Sequence, residues 1–207
     1  MRLLLVRHGE SEGNAGRIFQ GRTDYGLTPL GESQAGLTAE RLRPAGVTAI
    51  LASPLSRAFD TAAIVATALG IDVEVNEALL EYDIGEISGL SLPQVRERFP
   101  NLLERWGATG ERPQIPGEEG RAAFVERVTA FVHGLDWKAE GTVVAVTHGG
   151  VVNVACYAAL GLDFPDFFRP RLAFAVGNCS ITELRGDPLG RIVLAGQNDT
   201  CHLDGVA

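Results

Sequence analysis

Three short segments of this 207-residue chain combine residue types able to do chemistry together. Arg7-His8-Gly9-Glu10-Ser11 follows the apolar run Leu3 to Val6, Ser53-Pro54-Leu55-Ser56-Arg57 follows Ala49 to Ala52, and Thr147-His148-Gly149-Gly150 follows Thr142 to Val146. Each reads as the carboxyl end of a short strand, where open α/β sheets bind their ligands. Where the strands are neighbours, two histidines and two arginines converge on one mouth. Arginine's planar fork holds phosphate oxygens bidentately and stays charged at any working pH, so the cluster favours a phosphate monoester. A neutral imidazole is a good nucleophile near neutral pH if one ring nitrogen is held as donor and the other presents its lone pair. The carbonyl of Gly9 is the candidate holder. Phosphoryl transfer asks chiefly for positioning and for charge to stabilise the equatorial oxygens. Arg7, Arg57 and a protonated His148 would supply that charge, and the sequence offers no obvious carboxylate cluster for magnesium, so no metal or cofactor is expected.

The elements that must position these residues are short and alternate in type. Arg2 to Arg7 predicts a buried strand. Thr28 as N-cap with Pro29 behind it opens a helix to about Leu42. Ala49 to Ser53 predicts a second strand, and Ser53-Pro54 the start of a helix that stops at Gly70. Ser91 and Gln94 have capping-box spacing ahead of a short helix ending before Pro100. Val125, Val128, Val132 and Leu135 recur at helical spacing. Thr142 to Thr147 predicts a third strand, and an apolar helix follows to Leu160. Ala173 to Val176, Ile181 to Leu184 and Arg191 to Leu194 are weaker strand candidates. Strands alternating with helices predict one domain, an α/β/α sandwich around a mostly parallel sheet. A cap or loop region is expected at about 91–120, part of it rich in Gly, Pro and charge.

Composition narrows the partners. Eighteen Lys and Arg stand against 26 Asp and Glu, a formal net charge of -8. A net acidic surface suits neither nucleic acid nor an anionic membrane, but it permits a small anionic substrate in a locally cationic cleft. Cys156, Cys179 and Cys201 are odd in number and show no CxxC, which fits a reducing cytoplasm. No apolar run reaches spanning length. The phenylalanines Phe164, Phe167 and Phe168 are read as core, with a homodimer face as the alternative.

Taken together, the motifs resemble the histidine phosphatase (phosphoglycerate mutase-like) superfamily over nearly the whole chain. Leu5-Val6-Arg7-His8-Gly9-Glu10-Ser11 is similar to the family's N-terminal signature. Gln20-Gly21-Arg22-Thr23-Asp24, with Leu27-Thr28-Pro29-Leu30-Gly31, resembles its second block. Ser53-Pro54-Leu55-Ser56-Arg57-Ala58 with Thr61-Ala62, Val146-Thr147-His148-Gly149-Gly150, Asn178-Cys179-Ser180 and Asn198-Asp199-Thr200 resemble later ones. The resemblance implies that His8 is the phosphorylated nucleophile and that Arg7, Arg57 and His148 complete the phosphate pocket. It also implies that Asn14, Gln20, Gly21 and the Gly149 amide line the site. Leu79-Leu80-Glu81-Tyr82-Asp83-Ile84-Gly85-Glu86 resembles the family's acid segment, with Glu81 as proton donor and Asp83 and Glu86 as competitors. Two departures touch the substrate side. Arg22 stands where mutases often carry Trp, and Pro116-Gly117-Glu118-Glu119-Gly120 matches the phosphatase branch's Pro-Gly-Gly-Glu-Ser only in part.

The resemblance implies a phosphatase acting on small-molecule phosphate monoesters. A cofactor-dependent phosphoglycerate mutase is the alternative, disfavoured by the compact chain and by Tyr82-Asp83-Ile84-Gly85-Glu86. A non-catalytic phospho-ligand binding domain is the third reading, disfavoured because nucleophile, arginines and acid are all present. Arg96, Arg98, Arg105, Trp106 and Arg112 in the cap region are candidates for gripping a second anionic or aromatic group, against the plainer reading of solvated side chains.

Overall fold

The computed structural model describes residues 1–102, 114–163 and 174–205. Six strands form the main sheet: β1 (Arg2–Arg7), β3 (Val47–Ala52), β4 (Val73–Val75), β6 (Thr142–Thr147), β7 (Ile181–Gly186) and β8 (Ile192–Asp199). Their order is β4-β3-β6-β1-β7-β8, and β4, β3, β6 and β1 run parallel. β7 is antiparallel to both of its neighbours, β1 and β8.

The alternation of β1 explains its unbroken apolar run. Leu3 and Leu5 point to one face, packing with Phe124, Val128 and Val132 of α5 (Arg121–His133) and with Val151 to Tyr157 of α6 (Gly149–Ala159). Leu4 and Val6 point to the other, against Ala39 and Leu42 of α2 (Pro29–Leu42) and Ala58, Ala62 and Val65 of α3 (Ser56–Leu69). A strand covered on both faces cannot alternate polar and apolar residues, so four consecutive apolar side chains disappear from water. The expected sandwich is what forms.

Helix starts separate what is local from what is not. Thr28 caps α2 as expected, its Oγ1 accepting from the Gly31 amide at 3.1 Å with Pro29 first in the helix. By contrast α3 begins at Ser56, not at Ser53-Pro54. Its cap comes from a distant residue: Asp24 accepts from the Ser56 amide at 2.8 Å and from its hydroxyl at 2.6 Å. The buried stripe of α5 is Phe124, Val128 and Val132, with Val125 at its margin and Leu135 beyond the helix end. β8 runs five residues past Leu194, β4 lacks any pattern strong enough to announce it, and residues 174–176 form no strand.

A smaller layer sits over the carboxyl ends of the parallel strands. It is built from α1 (Glu12–Ala15), a two-stranded ribbon of β2 (Ile18–Phe19) and β5 (Leu90–Ser91), and α4 (Leu92–Arg98). Ile87, Leu90, Val95, Leu102 and Ile115 form its own core, separate from the two sheet faces. Among the described residues no helix is long and apolar enough to cross a membrane. Cys156, Cys179 and Cys201 are free thiols, the first two buried.

Candidate active site

Strand register brings the chemical residues together. Arg7 pairs with Thr147 across β1 and β6, and Ala52 pairs with Val146 across β3 and β6. The next residues, His8, His148 and Ser53, therefore leave the sheet side by side. The two imidazole rings lie 5.2 Å apart between centroids, tilted by 59°.

The turn after β1 is pinned at every amide. The His8 amide donates to Thr147 O at 2.9 Å, the Gly9 amide to Thr61 Oγ1 at 3.0 Å and the Glu10 amide to Gln34 Oε1 at 2.9 Å. Asn178 Nδ2 donates to the His8 carbonyl at 3.0 Å. The turn also packs directly on the start of α2: a Cβ on Gly9 would lie 2.5 Å from the Gly31 carbonyl oxygen, and one on Gly31 would lie 2.0 Å from that of Glu10. Glycine at both positions lets the backbones touch.

That rigidity fixes the state of His8. Its Nδ1 stands 2.7 Å from Gly9 O, so Nδ1 carries the proton and donates, and Nε2 keeps its lone pair. The ring is 3% exposed. Burial first, then Arg7 and Arg57, push its pKa well below the ordinary imidazole value, while the Gly9 bond acts in the opposite sense. Its surroundings favour the neutral ring, with the lone pair a nucleophile needs on Nε2.

Arg7 and Arg57 are held by backbone carbonyls, not by carboxylates. Arg7 Nη1 donates to Val176 O at 2.6 Å. Arg57, 1% exposed, donates to Thr23 O at 2.9 Å and to Gly21 O at 2.7 Å. Among the described residues neither forms an ion pair, and Nε of each is buried without a hydrogen-bond partner. A guanidinium largely withdrawn from water and outside any ion pair is costly, and its unused donors suit an anion. Desolvation lowers both pKa values, with Glu81 opposing it.

His148 sits fully buried behind His8, Nε2 2.8 Å from Ser53 Oγ and Nδ1 without a partner. Burial, then His8, Arg57, Arg7 and Arg127, push its pKa well below the ordinary value. Burial above all, with His8 and the arginines adding to it, favours the neutral ring in the protein alone, whereas a protonated His148 was expected. A phosphate dianion placed against the ring would act in the opposite direction.

Glu81 faces this cluster across the cavity. Its Oε1 accepts from the Tyr82 amide at 2.8 Å and Oε2 from the Gly150 amide at 3.1 Å, at the N-terminus of α6. Of its competitors, Asp83 is turned to the Gly85 amide at 2.9 Å, and Glu86 is exposed; neither lines the cavity. Gln20, Gly21 and Gly149 line the cavity. Asn14 stands behind the lining, where its Oδ1 closes the capping box with the Ser11 amide at 3.2 Å and accepts from Asn178 at 3.2 Å. Gly21, at φ +50°, serves through its carbonyl, and a Cβ there would lie 2.5 Å from Ile84.

Several residues that shape the site escaped the sequence reading. Thr147 Oγ1 donates to Leu79 O at 2.7 Å, and Arg127 Nη1 donates to Ala78 O at 2.9 Å and Leu80 O at 3.0 Å, so both clamp the segment that carries Glu81. Arg127 also pairs with Glu119 at 2.9 Å, and Glu119 pairs with Arg22 at 3.0 Å, while Arg22 Nε donates to Glu81 O at 3.1 Å. The departure at Arg22 thus has a structural use. Thr61 and Asn178 lay inside quoted motifs but had no assigned role; Arg127 had no sequence signal, being one arginine on a helix. Among the described residues no group of three or more His, Cys, Asp or Glu is placed to hold a metal ion. Arg96 and Arg98 are exposed on α4, and Arg105, Trp106, Arg112, Phe164, Phe167 and Phe168 lie outside the described residues.

Comparison with known proteins agrees with this geometry. Residues 3–200 match the family model of the histidine phosphatase superfamily (branch 1). Phosphoserine phosphatase 1 of Hydrogenobacter thermophilus is 32% identical over 206 residues, 98% of this chain and 94% of that protein. A probable phosphoglycerate mutase of Salmonella paratyphi B is 32% identical over 185 residues, 89% of this chain and 84% of that protein. The solved structure of a mycobacterial glucosyl-3-phosphoglycerate phosphatase complexed with VO3 has a TM-score of 0.80 at 31% identity, covering 96% of this chain and 99% of that one. The chain belongs to the histidine phosphatase superfamily, branch 1.

Proposed function

We propose that this phosphatase hydrolyses small-molecule phosphate monoesters in two steps through a phosphohistidine on His8. The observation that carries the reading is His8 itself: a buried residue with Nδ1 tied to Gly9 O at 2.7 Å, beside the buried Arg57 and the half-buried Arg7, neither of them in an ion pair among the described residues. In the first step Nε2 attacks phosphorus and the bond to the ester oxygen breaks. Arg7, Arg57 and His148 offset charge on the equatorial oxygens. Glu81 gives its proton to the departing oxygen, which leaves as an alcohol. In the second, water attacks phosphorus, Glu81 takes up its proton, and the P–N bond breaks to release inorganic phosphate and neutral His8. Gln20, Gly21 and the Gly149 amide border the substrate, with Asn14 bracing them from behind.

In this reading residues 1–207 form one domain, with a cap at about 91–120 and no metal or cofactor. The three unpaired cysteines support a reducing, cytoplasmic setting. A mutase is the second reading, favoured by the Salmonella relative's name. The test is phosphate release from p-nitrophenyl phosphate and a panel of monoesters, beside interconversion of 3- and 2-phosphoglycerate, all in EDTA. Phosphoserine and 3-phosphoglycerate derivatives join the panel because the relatives' names supply them. Hydrolysis with negligible interconversion is expected. Interconversion without net phosphate release would replace the phosphatase reading by the mutase, and loss of activity restored by magnesium would overturn the metal-independent mechanism.

A further inference from the structure

Beyond the phosphate end, the cavity of about 300 Å³ continues under the cap layer, and its character changes. There the walls are Phe19, Ile84, Ile87, Val95, Leu102 and Ile115. Among the described residues the only Arg, Lys, Asp or Glu side chains on this cavity are Arg7, Arg57 and Glu81, all at the end that faces His8. Two polar side chains on segments that line the cavity are already engaged. Tyr82 Oη donates to Glu118 at 3.0 Å, and Arg22 is tied to Glu119 at 3.0 Å. α4 turns Val95 inward and leaves Arg96 and Arg98 exposed, Arg98 on a neighbouring cavity that shares Leu102 and Ile115.

We infer that the preferred substrate is a phosphate monoester of an apolar alcohol, alkyl or aryl, whose hydrocarbon part fills this chamber. The inference rests on the phosphatase reading and narrows it. A leaving group such as serine or glycerate brings an ammonium or a second carboxylate. Along the described walls that charge would lose water without gaining a partner, a cost that disfavours such substrates. A hydrocarbon chain gains affinity there for each methylene removed from water. The chamber has room for a chain of several carbons, and four of its walls, Ile87, Val95, Leu102 and Ile115, are held in place by packing together as the core of the cap layer.

Binding and turnover separate this inference from the reading beneath it. Calorimetric affinities of methyl-, butyl- and hexylphosphonate, which cannot be hydrolysed, are expected to rise about two- to four-fold per added methylene. kcat/KM for n-hexyl phosphate is expected to exceed that for phospho-L-serine and 3-phosphoglycerate by at least about ten-fold. These are all esters of alkyl alcohols, which limits differences in leaving-group chemistry. Val95→Thr, which swaps a methyl for a hydroxyl at similar shape, should lower the gain per methylene in the chain-length series. If that variant fails to fold, the wild-type series alone decides. Affinity that does not rise with chain length, or a preference for phospho-L-serine or 3-phosphoglycerate, overturns the apolar chamber even with brisk hydrolysis. A rising series with no ester hydrolysed keeps the chamber and overturns the phosphatase reading instead.

Discussion

The two ends of the cavity are built by different means. The phosphate end hangs from the main sheet: His8, Ser53 and His148 leave three adjacent parallel strands at one level, and hydrogen bonds fix the turn after β1 at each amide. The far end belongs to a two-stranded ribbon, a seven-residue helix and loops, and hydrophobic contact holds it together. The contrast follows from what each end must do. Transition-state charge needs donors placed to within fractions of an ångström, and strand ends packed from both faces supply that. An alcohol needs only a surface of the right polarity and shape, which a layer with its own small core can change without disturbing the sheet.

The largest effect expected at the phosphate end is from His8→Ala. kcat/KM for p-nitrophenyl phosphate should fall on the order of 10⁴-fold or more, with the thermal midpoint little lowered. Activity near wild type would remove His8 from the mechanism. Glu81→Gln should slow an alkyl ester about 10²- to 10⁴-fold and p-nitrophenyl phosphate much less, since nitrophenolate hardly needs a proton to leave. Equal losses on the two esters would make Glu81 a positioning group.

Arg127→Met probes the join between the two ends, since Arg127 binds the Glu81 segment to Glu119 below the cap. Unpairing the Glu119 carboxylate from this cation and freeing two carbonyls should cost about 2–3 kcal/mol in urea unfolding. The alkyl ester should lose more rate than p-nitrophenyl phosphate. An unchanged unfolding midpoint would show that the clamp carries no stability.

The smallest expected effect concerns pH. His8 and His148 are held below the unfolded imidazole pKa, so below about pH 6.5 the unfolded chain binds protons that the folded chain resists. Stability present above that pH therefore falls as pH drops, by about 1 kcal/mol for each ring between pH 7 and 5.5. His148→Gln should shrink the loss. A urea midpoint that stays flat across the range would mean that one or both rings take up protons in the folded state.

Much of the phosphate end was legible in order along the chain. Apolar runs ending in Arg-His-Gly, Ser-Pro-Leu-Ser-Arg and Thr-His-Gly announced strand ends, because strand burial and ligand position are both local consequences of an α/β sheet. The Thr28-Pro29 helix start was equally local. The start of α3 was not, because its cap is Asp24, 32 residues earlier than Ser56. Nor was the chamber: Phe19, Ile84, Val95 and Ile115 look like ordinary core residues until four separate segments are brought around one space.

By itself, then, the sequence determined which residues could perform phosphoryl transfer and which strands would carry them, since residue type and hydrophobic pattern are properties of neighbours along the chain. Only the tertiary structure decided the rest: that Nδ1 of His8 is held by Gly9, that burial favours a neutral His148, that Arg127 clamps the segment carrying Glu81, and that Phe19, Ile84, Ile87, Val95, Leu102 and Ile115 share one cavity with His8 among the described residues. Tautomer, ionisation and cavity polarity depend on what lies within a few ångströms in space, and most of those neighbours are tens of residues away in sequence.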